Sequence, residues 1–154
     1  MKKRLLTFAI GFCVVLVLAS CGASKPVADT ALGEAVSFDR HQVWQLVALK
    51  GKPVSGPATT LILNSEAGAL NGRSACNRYF ADFTQKLVEQ TAQGTRYALK
   101  ISYLGVGETR CPDADMEAEA RYLALLPKAD ACLLTEYTLT LYKGNKEILK
   151  FELQ

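Results

Sequence analysis

Arg96-Tyr97-Ala98-Leu99-Lys100-Ile101-Ser102-Tyr103 sets a large apolar or aromatic side chain at every second position and a small or polar one between. A period of two marks a strand with one buried face, so Tyr97, Leu99, Ile101 and Tyr103 are expected to look into the core together. The same pattern recurs on both sides of this stretch. Trp44, Leu46 and Ala48 alternate with Gln45 and Val47, Leu61 and Leu63 flank Ile62, and Tyr137, Leu139 and Leu141 alternate with Thr138 and Thr140. Leu149, Phe151 and Leu153 close the chain likewise. Glu66-Ala67-Gly68 and Gly144-Asn145 read as tight turns between such runs, which makes sequential hairpins and a largely antiparallel sheet the expected outcome.

One segment follows a different period. From Asp113 to Leu126, Met116, Ala120, Leu123 and Ala124 fall at helical spacing, and acids at 113, 115, 117 and 119 complement the positive end of a helix dipole. Pro127 is expected to end it. A lone amphipathic helix beside a meandering sheet most simply covers one face or open end of a small barrel. The fold class is therefore mainly β (α+β): a small antiparallel β-barrel-like domain with one amphipathic helix.

The N-terminus carries an address. Met1-Lys2-Lys3-Arg4 is basic, Leu5 to Leu18 is apolar, and Leu18-Ala19-Ser20-Cys21 has the layout of a bacterial lipoprotein signal, whose cysteine becomes the lipidated first residue. The apolar run is too short to span a bilayer comfortably. Each buried methylene of an acyl chain contributes about 0.8 kcal/mol, so several chains on Cys21 would hold the protein to a membrane stably. Gly22 stands where resembling lipoproteins retained at the inner membrane typically carry aspartate, so the resemblance implies sorting to an outer membrane, facing the periplasm, in a host that has one. Residues 1–20 are thus read as signal peptide, 21–40 as lipidated N-terminus and tether, and 41–154 as one folded domain. The tether, rich in Ala, Ser, Gly and Pro, would reach roughly 20 Å as a coil.

Lys2, Lys3 and Arg4 leave with the signal, so fifteen of the eighteen basic residues face fifteen acids. A neutral chain without a basic stretch lacks the footprint of a nucleic-acid binder. Cys13 leaves as well and Cys21 takes lipid. Cys76, Cys111 and Cys132 remain for an oxidising compartment, enough for one bridge and one spare, and the pairing is open from spacing. No Cys-x-x-Cys occurs and the single histidine, His41, lies far from these cysteines in sequence, so neither metal nor cofactor is expected.

No catalytic constellation is visible. A nucleophile elbow, a phosphate-binding glycine loop and a Ser-x-x-Lys motif are all missing from the sequence, and Gly105-Val106-Gly107 reads as a turn. His41 beside Asp39 reads as a solvated pair at the end of the tether.

Gly72-Arg73-Ser74-Ala75-Cys76-Asn77-Arg78-Tyr79-Phe80-Ala81-Asp82-Phe83 resembles the glycine-cysteine-asparagine-arginine/aromatic signature of META domains, the HslJ-like heat-shock proteins. Trp44 and Leu46, Pro57 ahead of Leu61 to Leu63, Thr109-Arg110-Cys111 before an acidic helix, and a final Leu-x-Leu hairpin follow in the family's order. Ala75 and Ala81 stand where glycine is usual. The resemblance implies a Cys76–Cys111 bridge, leaving Cys132 as a buried thiol, and marks Asn77, Arg78 and Thr109 as signature residues. Asn and Thr beside a crosslink ordinarily cap turns, and Tyr79, Phe80 and Phe83 ordinarily pack.

The function expected is that of a non-enzymatic membrane-anchored envelope lipoprotein, a monomer, linked through the resemblance to stress response or antibiotic tolerance. Two alternatives stand beside it. A barrel with an open mouth could carry a small apolar ligand. The loop at residues 104–112 could serve an interaction module that inhibits a periplasmic or host hydrolase.

Overall fold

The computed structural model describes Phe38 and residues 41–154. The expected signal peptide, Cys13, Cys21 and the rest of the tether lie outside the described residues.

Among the described residues nine strands follow one another: β1 (Trp44–Leu49), β2 (Lys52–Pro53), β3 (Thr60–Asn64), β4 (Ala69–Arg73), β5 (Arg78–Thr91), β6 (Gly94–Val106), β7 (Ala131–Leu134), β8 (Thr138–Lys143) and β9 (Lys146–Leu153). One helix, α1 (Asp113–Leu123), and a single 3₁₀ turn (Leu126–Lys128) interrupt the series between β6 and β7. Every pairing is antiparallel. β1 pairs with β3, each later strand pairs with its successor, and β9 returns to β1 through Trp44–Leu153, Leu46–Phe151 and Leu49–Leu149. That return closes an eight-stranded barrel, and the far half of β5, beyond Asp82, keeps β6 as its one strand partner among the described residues. β2 is a two-residue flap on β1, joined to it by Lys50 and Gly51, both at positive φ (50° and 74°) as a primed two-residue turn demands. Gly144 (φ 58°) and Asn145 make the expected turn between β8 and β9.

Inward-facing side chains fill the barrel. Trp44, Leu61, Cys132, Leu134, Leu139, Leu149 and Phe151 are all fully buried. Phe38, within the stretch expected to be tether, is also in this core, with its ring 5.3 Å from Tyr97 and edge-on to Phe83 at 6.4 Å. At Gly72 the strands β3 and β4 approach so closely that a Cβ would overlap the Thr60 carbonyl.

The register shifts at four places among the described strands, and two of them turn residues expected in the core away from it. Phe80 pairs with Gly105 and Asp82 with Ser102, so Ala81 faces both Tyr103 and Leu104. The extra residue reverses the faces beyond it. Tyr103, expected in the core, is 82 % exposed with φ 53°, and Leu104 packs against the core in its place. A bulge between Leu46 and Ala48 likewise turns Leu49, rather than Ala48, toward the core. Tyr137 precedes β8 and is 65 % exposed.

The helix is also rotated from expectation. It buries Glu119 and Tyr122, while Met116 and Leu123 are half-buried and Ala120 and Ala124 are exposed. Pro112 precedes it, and the Pro112 carbonyl accepts N–H groups from Asp115 (2.9 Å) and Met116 (3.1 Å). α1 stops at Leu123, and Pro127 sits inside the 3₁₀ turn that follows.

Candidate functional site

The four residues between β4 and β5, Ser74-Ala75-Cys76-Asn77, form a buried corner beside the start of α1. Each is at most 7 % exposed. Ser74 N–H donates to the Asn77 carbonyl at 2.8 Å, closing the turn. Cys76 is disulfide-bonded to Cys111, with the Cα atoms 5.9 Å apart, and this ties the corner to the residue two before α1.

Asn77 is spent completely on this arrangement. Its Nδ2 donates to the Thr109 carbonyl (3.1 Å) and to Glu119 Oε1 (3.0 Å), and its Oδ1 accepts Thr109 N–H (2.8 Å). Two donors and an acceptor are thus all engaged. Its backbone N–H donates to Glu119 Oε2 at 2.7 Å, and Ser74 Oγ donates to the same oxygen. One carboxylate, 6 % exposed, therefore gathers the donors of an entire turn. Burial pushes the Glu119 carboxyl up, but the hydrogen bonds from Ser74, from the Asn77 amide and backbone, and from the Cys76 backbone outweigh it and hold the group below its ordinary value.

A second polar pair lies deeper. Tyr79 Oη donates to the Thr60 carbonyl at 2.7 Å, so the 2.6 Å contact between the two phenols is a donation from Tyr122 to Tyr79. The rings meet edge-on at 5.5 Å. Burial pushes both hydroxyls well above the ordinary tyrosine value, which keeps them neutral.

Of the signature residues, Asn77 is buried at the centre, Thr109 contributes only backbone groups, and Arg78 is exposed with its carbonyl accepting Gly107 N–H at 2.9 Å. Tyr79 and Phe83 are core, whereas Phe80 is 63 % exposed and lies across from Gly105, over which its ring sits. Cys132 is fully buried in β7, and burial pushes its thiol up to about 12. Of the stretch singled out at 104–112, Leu104, Gly105 and Val106 are the paired end of β6 rather than loop or turn, and the remainder is held by Gly107 N–H, the Thr109 backbone and Cys111. Glu119 and Ser74 were not singled out. Glu119 reads locally as one of the acids of the helix start, although it precedes Tyr122 by three and Leu126 by seven, the spacing of the inward stripe. A carboxylate on that stripe is the signal that identifies it.

Among the described residues, no group of three or more His, Cys, Asp or Glu could hold a metal ion, and no helix is long and apolar enough to cross a membrane.

A family model described as META domain matches residues 36–154. Among solved structures, an NMR structure of a protein from Burkholderia xenovorans is similar at 23% identity and a TM-score of 0.58, covering 79% of this chain and 94% of that one. A second NMR structure is similar at 23% identity and a TM-score of 0.51, over 74% of this chain and 90% of its own. These likenesses concern the fold. No curated protein matches the chain significantly.

Proposed function

The chain belongs to the META-domain family, and on that premise we propose that it is a non-enzymatic, lipid-anchored protein of the bacterial cell envelope, serving in stress response or antibiotic tolerance. One observation carries the non-enzymatic part: the signature is consumed by the fold. Asn77, the residue of that stretch with the richest hydrogen-bonding chemistry, directs every group of its amide at Thr109 and Glu119. Glu119 is ionised but enclosed by its own donors, so it is neither a poised base nor an available ligand. The corner is a clamp that fastens α1 to the barrel.

The anchor rests on the Leu18-Ala19-Ser20-Cys21 box, and the side chains buried within the barrel support a ligand or partner site on the outside of the domain.

Both halves of the reading meet in one experiment. In the native host, deletion should lower survival under heat or antibiotic challenge, and the wild-type gene should restore it while incorporating an alkynyl palmitate label. Cys21→Ser should neither take the label nor restore survival. Full rescue by Cys21→Ser would remove the requirement for an anchor, and an unchanged deletion strain would remove the stress reading.

A further inference from the structure

Strand β1 divides one edge between two partners. Its first half pairs with β3 through Trp44–Leu61 and Gln45–Thr60, and its second half with β2 through Ala48–Pro53 and Leu49–Lys52. The chain between those partners is pinned at both ends, because Val54 N–H donates to the Val47 carbonyl (3.0 Å) and Leu46 N–H donates to the Thr59 carbonyl (2.8 Å). Adjacent residues of β1 thus hold positions five apart in the loop. Residues 55–58 have to bow outward, with Gly56 at φ 111° and Pro57 shaping the bow. Ala118, Arg121 and Tyr122 of α1 stand opposite.

Between loop and helix lies a cleft of about 360 Å³, within the range of small-molecule sites. Its floor is apolar and fixed: Leu46, Ala75 and Tyr122 are 6 %, 7 % and 1 % exposed. Pro53, Val54 and Ala118 add apolar wall, and the charged side chains on it are Lys52 and Arg121. No lining residue is acidic. Arg121 reaches Glu117 at 3.5 Å on its own helix, but both side chains are largely exposed, so that ion pair is weak and open to competition. An apolar floor under two cations complements an anion with a compact apolar body.

We propose that this cleft binds a small monocarboxylate, with its carboxylate at Lys52 and Arg121 and its hydrocarbon body on Leu46, Ala75 and Tyr122. The site is built from the folded domain alone and stands whether or not Cys21 carries lipid. Such an acid could derive from lipid acyl chains or from soluble aryl acids, and the shared chemistry is the carboxylate on an apolar body.

The test is calorimetric titration of the full chain in phosphatidylcholine nanodiscs, with empty discs as reference, against octanoate, 4-phenylbutyrate, 4-phenylbutan-1-ol and 4-phenylbutylamine. At low salt 4-phenylbutyrate should bind about three- to tenfold more tightly than the alcohol, and the amine more weakly than either. The advantage should shrink in high salt and vanish when Lys52→Gln and Arg121→Gln are combined, changes at exposed positions that leave the core intact. Ala118→Trp, with an unshifted melting curve as its folding control, should fill the cleft and abolish binding of acid and alcohol alike. Tighter octanoate would assign the lipid-derived source and tighter 4-phenylbutyrate the soluble one, both as the proposal requires. It is overturned if neither acid binds at millimolar concentration, if alcohol or amine binds as tightly as the acid, or if the melting-competent Ala118→Trp protein binds as the wild type does.

Discussion

The two sides of α1 treat the same barrel in opposite ways. On one side Glu119 closes onto Ser74 and Asn77, and a disulfide locks the strand connection to the helix start. On the other, Ala118 and Arg121 look across open space at a bowed loop, and the buried Tyr122 ring forms the floor between them. A helix of eleven residues has little intrinsic stability, so its position must come from what it touches. The sealed side supplies that position, and the open side is free to remain open because of it. Side-chain polarity alone would not have told the two apart: the buried side holds a carboxylate, and the open side has an apolar floor.

Cutting the sealed side should cost the most. The Cys76–Cys111 bridge closes a loop of 35 residues in sequence separation, worth about 3 to 4 kcal/mol by chain entropy. Replacing both cysteines with serine should lower the free energy of urea unfolding by about that amount, and adding reductant to the wild type should reproduce it. A loss under about 1 kcal/mol would mean that the hydrogen bonds hold the corner unaided. Cys132 complicates neither measurement, since its thiol is buried and pushed up to about 12 and should resist alkylation until the chain unfolds.

The carboxylate comes next. Glu119→Gln keeps the shape but puts an amide where an acceptor-only group received Ser74 and Asn77, so a loss of about 2 kcal/mol is expected. The pH dependence follows in sign. Because the folded-state value lies below the ordinary 4.5, the unfolded chain binds the proton more readily. The stabilisation is therefore complete above the ordinary value and is withdrawn as pH falls through the folded one. Wild type and Glu119→Gln should differ most near neutrality and converge in acid. Parallel pH–stability curves would show that the carboxylate does not hold the corner by its charge.

The unequal legibility of the sequence has the same physical root. Hairpin order, barrel class and the helix between Thr109 and Ala131 were readable because period two, turn glycines and helical spacing are local. The burial of Tyr97, Leu99 and Ile101 followed directly, and that of Tyr103 did not. Its exposure depends on a bulge in β6 that sets Tyr103 and Leu104 against the single Ala81 of β5, a register between two strands that one strand's alternation does not encode. Glu119 failed for a related reason. Four acids near a helix start share one local explanation, and only the Ser74–Asn77 turn, more than forty residues earlier, selects one of them for burial. Phe38 was lost in a tether defined by composition, although its ring belongs with Phe83 and Tyr97.

The smallest expected effects lie where the two sides of the helix meet. Tyr122 belongs to both, since its ring floors the cleft and its hydroxyl donates into the barrel to Tyr79. Tyr122→Phe leaves the ring packed on Tyr79 and Phe151 and leaves Tyr79 its bond to Thr60, so no donor is stranded. The loss should be about 1 kcal/mol, that of one neutral hydrogen bond. Arg121→Gln, one residue away but exposed, should fall within about 0.5 kcal/mol of wild type. The pair of variants separates wall from scaffold: if Arg121→Gln proved as destabilising as Tyr122→Phe, the open side of α1 would be part of what holds the helix, and the contrast between its two sides would fail.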